Sequence, residues 1–307
     1  MRHYCVGVLL LVVLVILSCQ TQPEQEVITP SFNAERAFSY LEAQVKFGPR
    51  VPGSPEHGLC RDYITRHISK GAKVLQTQEF PIDCFDEPAR GTNIVAGFGK
   101  EIAPAIVLAC HWDTRPIANL DPDLENRDKP IPGANDGASG VAVLLELANQ
   151  FAEKPPPRRV YLVFFDAEDA GDYRDCDWCL GSQYFAMNVN TVFSSLPAFG
   201  VVIDMIGDKN LSLPKEVNSQ AAAPDVLRHV WGVAERLGYK QFESKMGPSI
   251  FDDHIWLNRA GIPTIDIIDF DYLPWHTMGD DVDKCSKESL KAVGDVLYAL
   301  VYEKHNL

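Results

Sequence analysis

The chain has 307 residues, 46% hydrophobic and 23% charged, which supports one large folded domain with a sizeable core and argues against a second of similar size. Lys and Arg number 28 against 42 Asp and Glu, a net charge of −14. That balance argues against a nucleic-acid partner, because phosphate binding needs a basic face, and it tolerates a substrate with a free amino terminus.

Arg2 and His3 precede an almost wholly apolar run over 6–17, which ends in Ile16-Leu17-Ser18-Cys19. The run is shorter than the roughly 20 residues a membrane span needs, and it fits the centre of a secretory signal. The small residue before Cys19 makes 1–19 resemble a bacterial lipoprotein signal. That likeness implies an exported protein, facing the periplasm or cell surface, that touches the membrane only through a lipid on Cys19. A plain signal peptide cut nearby is the alternative. Residues 20–34 are expected to be a tether, polar and Pro-containing at first, leaving 35–307 as a single domain.

Apolar spacing predicts helices over 31–45, with Asn33 as a possible cap, and over 57–69, separated by a Pro- and Gly-rich loop at 48–55. Strands are expected over 74–80, 92–98 and 105–110. The last is followed at once by His111-Trp-Asp113. A long polar loop over 116–132 leads to Gly133-Ala-Asn-Asp-Gly-Ala-Ser-Gly140, where small residues let the backbone crowd around Asp136 before a helix over 141–151. Val160-Tyr-Leu-Val-Phe-Phe165 reads as a strand covered on both faces, and it ends abruptly in Asp166, Glu168 and Asp169.

Cys176-Asp-Trp-Cys179 has the spacing of a redox or zinc pair but no second pair accompanies it, so a local disulfide is expected. The pairing of Cys60, Cys84, Cys110 and Cys285 is not readable. A helix start at 182–187, a strand over 199–203 delivering Asp204, an amphipathic helix over 224–237 and a strand over 262–268 follow. Between the last two, Asp252-Asp-His254 begins a short helix, with Asp253 as cap and His254 packed inside. Tyr272-Leu-Pro-Trp-His-Thr-Met278 is a loop and 286–302 a terminal helix. This alternation predicts an α/β fold, a three-layer α/β/α sandwich around a mostly parallel, mixed central sheet.

In such a sheet ligands bind beyond the C-terminal strand ends. Those ends carry His111 and Asp113, Asp136, Glu168 and Asp169, Asp204, and the loop residue His276. Two imidazoles among so many carboxylates form a donor set suited to zinc, and without a cation the acids would repel one another. Asp113 is open to a role in orienting His111 rather than ligating metal. Trp112 and Trp256 read as wall or core, and His57, His67, His229 and His305 as surface or satisfied core.

The motifs His111-Trp-Asp113, Asn135-Asp136, Glu168-Asp169, Asp204 and His276 resemble the zinc-dependent exopeptidases, the superfamily of bacterial leucyl aminopeptidases. Gly48-Pro-Arg-Val-Pro-Gly-Ser-Pro55, Phe164-Phe-Asp-Ala-Glu-Asp169, Ile203-Asp-Met-Ile-Gly207, Asp252-Asp-His-Ile255 and Trp275-His-Thr-Met278 are more similar to its glutaminyl-peptide cyclotransferases. That resemblance implies a zinc exopeptidase-like catalytic domain acting on peptides or proteins with a free N-terminal Gln. It implies one zinc held by Asp136, Asp169 and His276, Glu168 as acid/base, Asp204 and Asp252 as its acidic partners, and Trp275 as a pocket wall. Trp178 is the candidate for a second wall. Departures from the animal cyclases are Asp169 in place of Glu, Asp266 in place of His and Trp256 in place of Pro. The alternative is a two-zinc aminopeptidase in which His111, Asp136 and Asp204 hold the second ion; His111 has no metal to hold in a cyclase. A metal-free binding domain is the third reading, and the complete ligand set weighs against it.

Overall fold

A computed structural model describes residues 29–303, apart from 86 and 103. The signal at 1–19, lipidation at Cys19, the tether up to 28, and His305 lie outside the described residues. The strands are β1 (Val74–Ile82), β2 (Ala89–Phe98), β3 (Ile106–His111), β4 (Val160–Phe165), β5 (Phe199–Asp204), β6 (Leu213–Lys215), β7 (Phe242–Met246) and β8 (Thr264–Ile268). Six of them form one sheet in the order β1-β2-β4-β3-β5-β8, and β6 pairs with β7 separately. From β4 to β8 the neighbours run parallel, while β2 is antiparallel to β4 and β1 to β2. The parallel half therefore sends the ends of β3, β4, β5 and β8 to one edge.

The helices are α1 (Ala34–Phe47), α2 (Pro55–Ile68), α3 (Ala138–Glu153), α4 (Leu180–Met187), α5 (Val189–Val192), α6 (Val217–Ala222), α7 (Pro224–Leu237), α8 (Asp253–Arg259) and α9 (Lys287–Tyr302). One face of the sheet, through Ile94, Leu108, Phe164, Val201 and Ile265, packs on α1, α2, α3, α7 and α9. The other, through Val95, Val107, Val163 and Val202, packs on α4, α5 and α8 by way of Phe185, Val189 and Leu257. Adjacent strand residues face opposite layers, so both faces need apolar side chains, and this is why these strands read as unbroken runs.

α3 is the most deeply buried helix of the first layer, and Gly140 lets it approach the sheet. A Cβ at that position would lie 2.8 Å from Cys110 Cβ and 2.9 Å from the Ile203 carbonyl oxygen. The close contact brings the start of α3, and with it Asp136, against the ends of β3 and β5.

Three expectations are corrected. Cys176 pairs with Cys84, 92 residues away, and not with Cys179, whose thiol is free and buried. The backbone turns at Cys179 (φ 59°) and carries its side chain inward, away from a partner three residues back. α8 is capped by Asp252, whose carboxylate accepts from Asp253 N, and not by Asp253. Finally, Ser31, Phe32 and Asn33 dock on the domain rather than acting as tether. Phe32 is buried against Gly294, the Ser31 carbonyl accepts from Gln150, and Asn33 caps α1.

Among the histidines, His57 is a satisfied core residue. Its Nε2 lies 2.9 Å from both oxygens of Asp166 and its ring stacks on Trp112 at 4.2 Å. Asp166, first of the acids after β4, is thus held in the core, where it also accepts from Thr92 N and Ala167 N.

The Cys84–Cys176 bond staples the loop after β4 to the strand β1 end, so breaking it frees a long segment of the unfolded chain. Replacing both cysteines with serine is expected to lower stability by about 2–4 kcal/mol in urea unfolding. An unchanged midpoint would show that the bond does not constrain the folded domain.

Candidate active site

His111 closes β3, Glu168 and Asp169 follow β4, Asp204 closes β5, Asp136 lies just before α3, and Asp252 caps α8. The loop after β8 brings His276 over these ends. Asp136, Glu168, Asp169, Trp178, Asp204, Asp252, Trp275 and His276 all line one narrow cleft. Wider surface grooves flank α7, lined by Asp225, Arg228 and Arg236 on one side and by Lys215, Glu235, Lys240 and Glu243 on the other.

Asp136, Asp169 and His276 present donor atoms within 4.8 Å of one another. His276 Nε2 is 3.2 Å from Asp169 Oδ1 and 3.9 Å from Asp136 Oδ2. Asp136 Oδ2 and Asp169 Oδ2 are buried and have no hydrogen-bond partner. Burial pushes the His276 pKa down to about 3, despite the pull of Asp136, so the ring stays neutral and keeps a lone pair to donate. Two carboxylates and a neutral imidazole in this arrangement fit zinc, which takes such donors at about 2.0–2.2 Å and leaves a fourth position open when catalytic.

A second trio shares Asp136. His111 Nε2 is 3.1 Å from Asp136 Oδ1 and 3.1 Å from Asp204 Oδ1, while its Nδ1 faces Asp113 at 3.4 Å. Burial alone would lower the His111 pKa, but Asp113, Asp136 and Asp204 together hold it well above its ordinary value. The structure thus brings together both expected ligand sets, with the two oxygens of Asp136 serving one each. Asp113 also accepts from Glu168 N and Asp169 N at 3.1 and 3.2 Å, which fixes the turn after β4.

Glu168 is buried, and burial raises its pKa well above the carboxylate range, opposed by His111 and reinforced by Asp252 and Asp169. The same desolvation raises Asp204, Asp252 and Asp169, the last to about 7 although Arg115 draws it down. Such shifts mark groups that a bound cation would return to the charged form. Trp178 and Trp275 both pack on His276, with ring centroids 5.9 and 3.8 Å away.

Three supporting residues escaped sequence reading. Arg115 is buried, donates to Asp169 Oδ1 and to the carbonyls of Asp169 and Gly171, and lies over the Trp178 ring at 4.8 Å. Cys179 donates its thiol proton to Glu168 Oε1 at 3.2 Å. Asp280 accepts from Asn135 N (2.8 Å), Asp136 N (3.1 Å) and the Tyr272 hydroxyl (2.7 Å). Its only local signal is its position four residues after His276.

The backbone is strained around this cleft. Ala167, Cys179, Met205 and His276 all have positive φ, and each is a site residue or the neighbour of one. Asp280→Ala would leave two buried amide donors and a phenol unsatisfied beside Asp136. It is expected to weaken metal binding by about 10- to 100-fold in competition with a chelator. Unaltered affinity would show that Asp280 does not set the Asp136 backbone.

Among solved structures, Bacteroides thetaiotaomicron glutaminyl cyclase bound to N-acetylhistamine is 39% identical. It superposes with a TM-score of 0.85 over 91% of this chain and 100% of its own. Bovine glutaminyl-peptide cyclotransferase is 24% identical over 83% of this chain and 78% of its own length. Aminopeptidase YwaD of Bacillus subtilis is 27% identical over 64% of this chain, and the match spans only 40% of that protein. Residues 93–301, more than half of the sequence, match Peptidase family M28, so the chain belongs to that family.

Proposed function

We propose that this chain is a zinc-assisted glutaminyl-peptide cyclotransferase, converting an N-terminal Gln of a peptide or protein to pyroglutamate with release of ammonia. The observation that carries the reading is the Asp136, Asp169 and His276 trio beside buried Glu168, in a cleft walled by Trp178 and Trp275. The likeness to a bacterial glutaminyl cyclase over the whole of that chain supports it. One zinc held by the trio would polarise the γ-carbonyl of the glutamine.

The chain's own residues supply the proton transfers. As the α-amino nitrogen bonds to the side-chain carbonyl carbon (Cδ), Glu168 accepts a proton from it. Glu168 then gives the proton to the amide nitrogen, whose bond to carbon breaks and which leaves as ammonia. A carboxyl group that burial holds toward neutrality suits both halves of this transfer. Asp204 and Asp252 hold Glu168's electrostatic environment. The indoles of Trp178 and Trp275 exclude water, so that the tethered amine and not water attacks the carbonyl.

A two-zinc aminopeptidase remains the second reading, because His111, Asp136 and Asp204 also have donor atoms within 4.8 Å of one another. The two differ in product. Incubated in parallel with Gln-peptides and Leu-peptides, the protein is expected to remove ammonia from the former and leave the latter intact by mass. Release of free leucine would favour the aminopeptidase. Glu168→Gln should retain zinc and lose turnover by about 100- to 10,000-fold; appreciable remaining activity would remove Glu168 from the reaction.

The leader sequence supports export and a lipid on Cys19 as the link to the membrane. Cys19→Ser should then move the protein from the membrane to the soluble fraction, and a protein still in the membrane fraction would contradict the anchor.

A further inference from the structure

We propose that Glu168, Cys179 and Asp252 form a second cation site, distinct from both trios that share Asp136, and that a soft divalent metal bound there shuts the enzyme off. The Cys179 Sγ is 3.2 Å from Glu168 Oε1, and one donor atom from each of the three residues lies within 4.8 Å of the others. Asp252 is 4% exposed, and its Oδ2 is buried with no N–H or hydroxyl donor, its near neighbour being the equally buried carboxyl of Asp266. A carboxylate oxygen in that position lacks what a cation would provide. Glu168 and Asp252 both line the cleft, so an ion entering it meets their oxygens.

Sulfur sets the selectivity. One thiolate and two carboxylates supply three ligands and leave a fourth position for water, which suits zinc, cobalt or cadmium; the sulfur disfavours magnesium and calcium. The backbone that carries the thiol is fixed beside Glu168, because Cys179 N donates to the Glu168 carbonyl at 2.9 Å. On binding, the S–H bond breaks, a metal–sulfur bond forms and the thiol proton passes to solvent; no electron is transferred. A metal on Glu168 occupies the oxygens that would carry the reaction's proton. The inhibition rests on Glu168 being the acid/base of the proposed reaction, whereas the binding does not.

The test is titration of the full-length protein, in detergent, with cobalt(II), read by absorbance and by turnover of a Gln-peptide. The first equivalent, on oxygen and nitrogen donors, should give no sulfur-to-metal charge-transfer band. The second should bring in that near-ultraviolet band and suppress turnover. Cys179→Ser should lose the band, and the zinc concentration for half-inhibition, relative to that variant's own uninhibited rate, should rise at least about tenfold. Saturation at one equivalent would overturn the proposal. So would a second equivalent without the band, which would place the ion on His111, Asp136 and Asp204. Cys60, Cys110 and Cys285 are also free thiols, so Cys179→Ala is titrated beside Cys179→Ser, and a band that persists in either folded variant would place the sulfur elsewhere and overturn the site. A band in a protein that never turns over Gln-peptides would retain the site and reject the cyclase.

Discussion

The site is organised by the mutual repulsion of carboxylates that the fold buries at one edge of a sheet. Asp136, Glu168, Asp169, Asp204, Asp252 and Asp266 are removed from most or all contact with water, and burial raises the pKa values of Glu168, Asp169, Asp204, Asp252 and Asp266. Against them stand the imidazoles of His111, His254 and His276 and the guanidinium of Arg115. A set of this kind persists only with protons or a cation in its midst, and neutral His276 together with unpartnered oxygens on Asp136 and Asp169 points to a cation.

The rest of the molecule holds that set in place. Parallel pairing of β3, β4, β5 and β8 aims four strand ends at one point, and the approach of α3 through Gly140 adds Asp136. Asp113 and Asp280 accept the backbone amides of Glu168, Asp169, Asn135 and Asp136, so the ligand loops are fixed by acids that do not themselves belong to the trio. Positive φ at Ala167, Met205 and His276 shows the chain bent against its preference at the points where it must present Glu168, Asp204 and His276. The neighbouring acids divide the labour: Asp166 is committed to His57 in the core, while Glu168 and Asp169, beyond the turn at Ala167, face the cleft.

Much of this was legible in the sequence, for a physical reason. A strand buried on both faces must be apolar throughout, so Val160-Tyr-Leu-Val-Phe-Phe165 and the runs before His111 and Asp204 announce both the strand and the acid at its end. The ligand residues could be gathered because open α/β sheets place those ends together. Features set by distant partners could not be read this way. Nothing near Cys176 points to Cys84, and the spacing to Cys179 suggested the wrong bond. Arg115, Cys179 and Asp280 act on residues brought to them by the fold. β6, β7, α5 and α6 are short or half-exposed, so their apolar pattern is too brief to stand out.

The central claim is that one divalent ion is clasped by Asp136, Asp169 and His276. Diffraction from crystals grown with a single equivalent of zinc, recorded on both sides of the zinc absorption edge, tests it directly. The account predicts one strong anomalous peak bonded to a carboxylate oxygen of Asp136, a carboxylate oxygen of Asp169 and the Nε2 of His276. A peak placed elsewhere, or no peak between those three side chains, would contradict it.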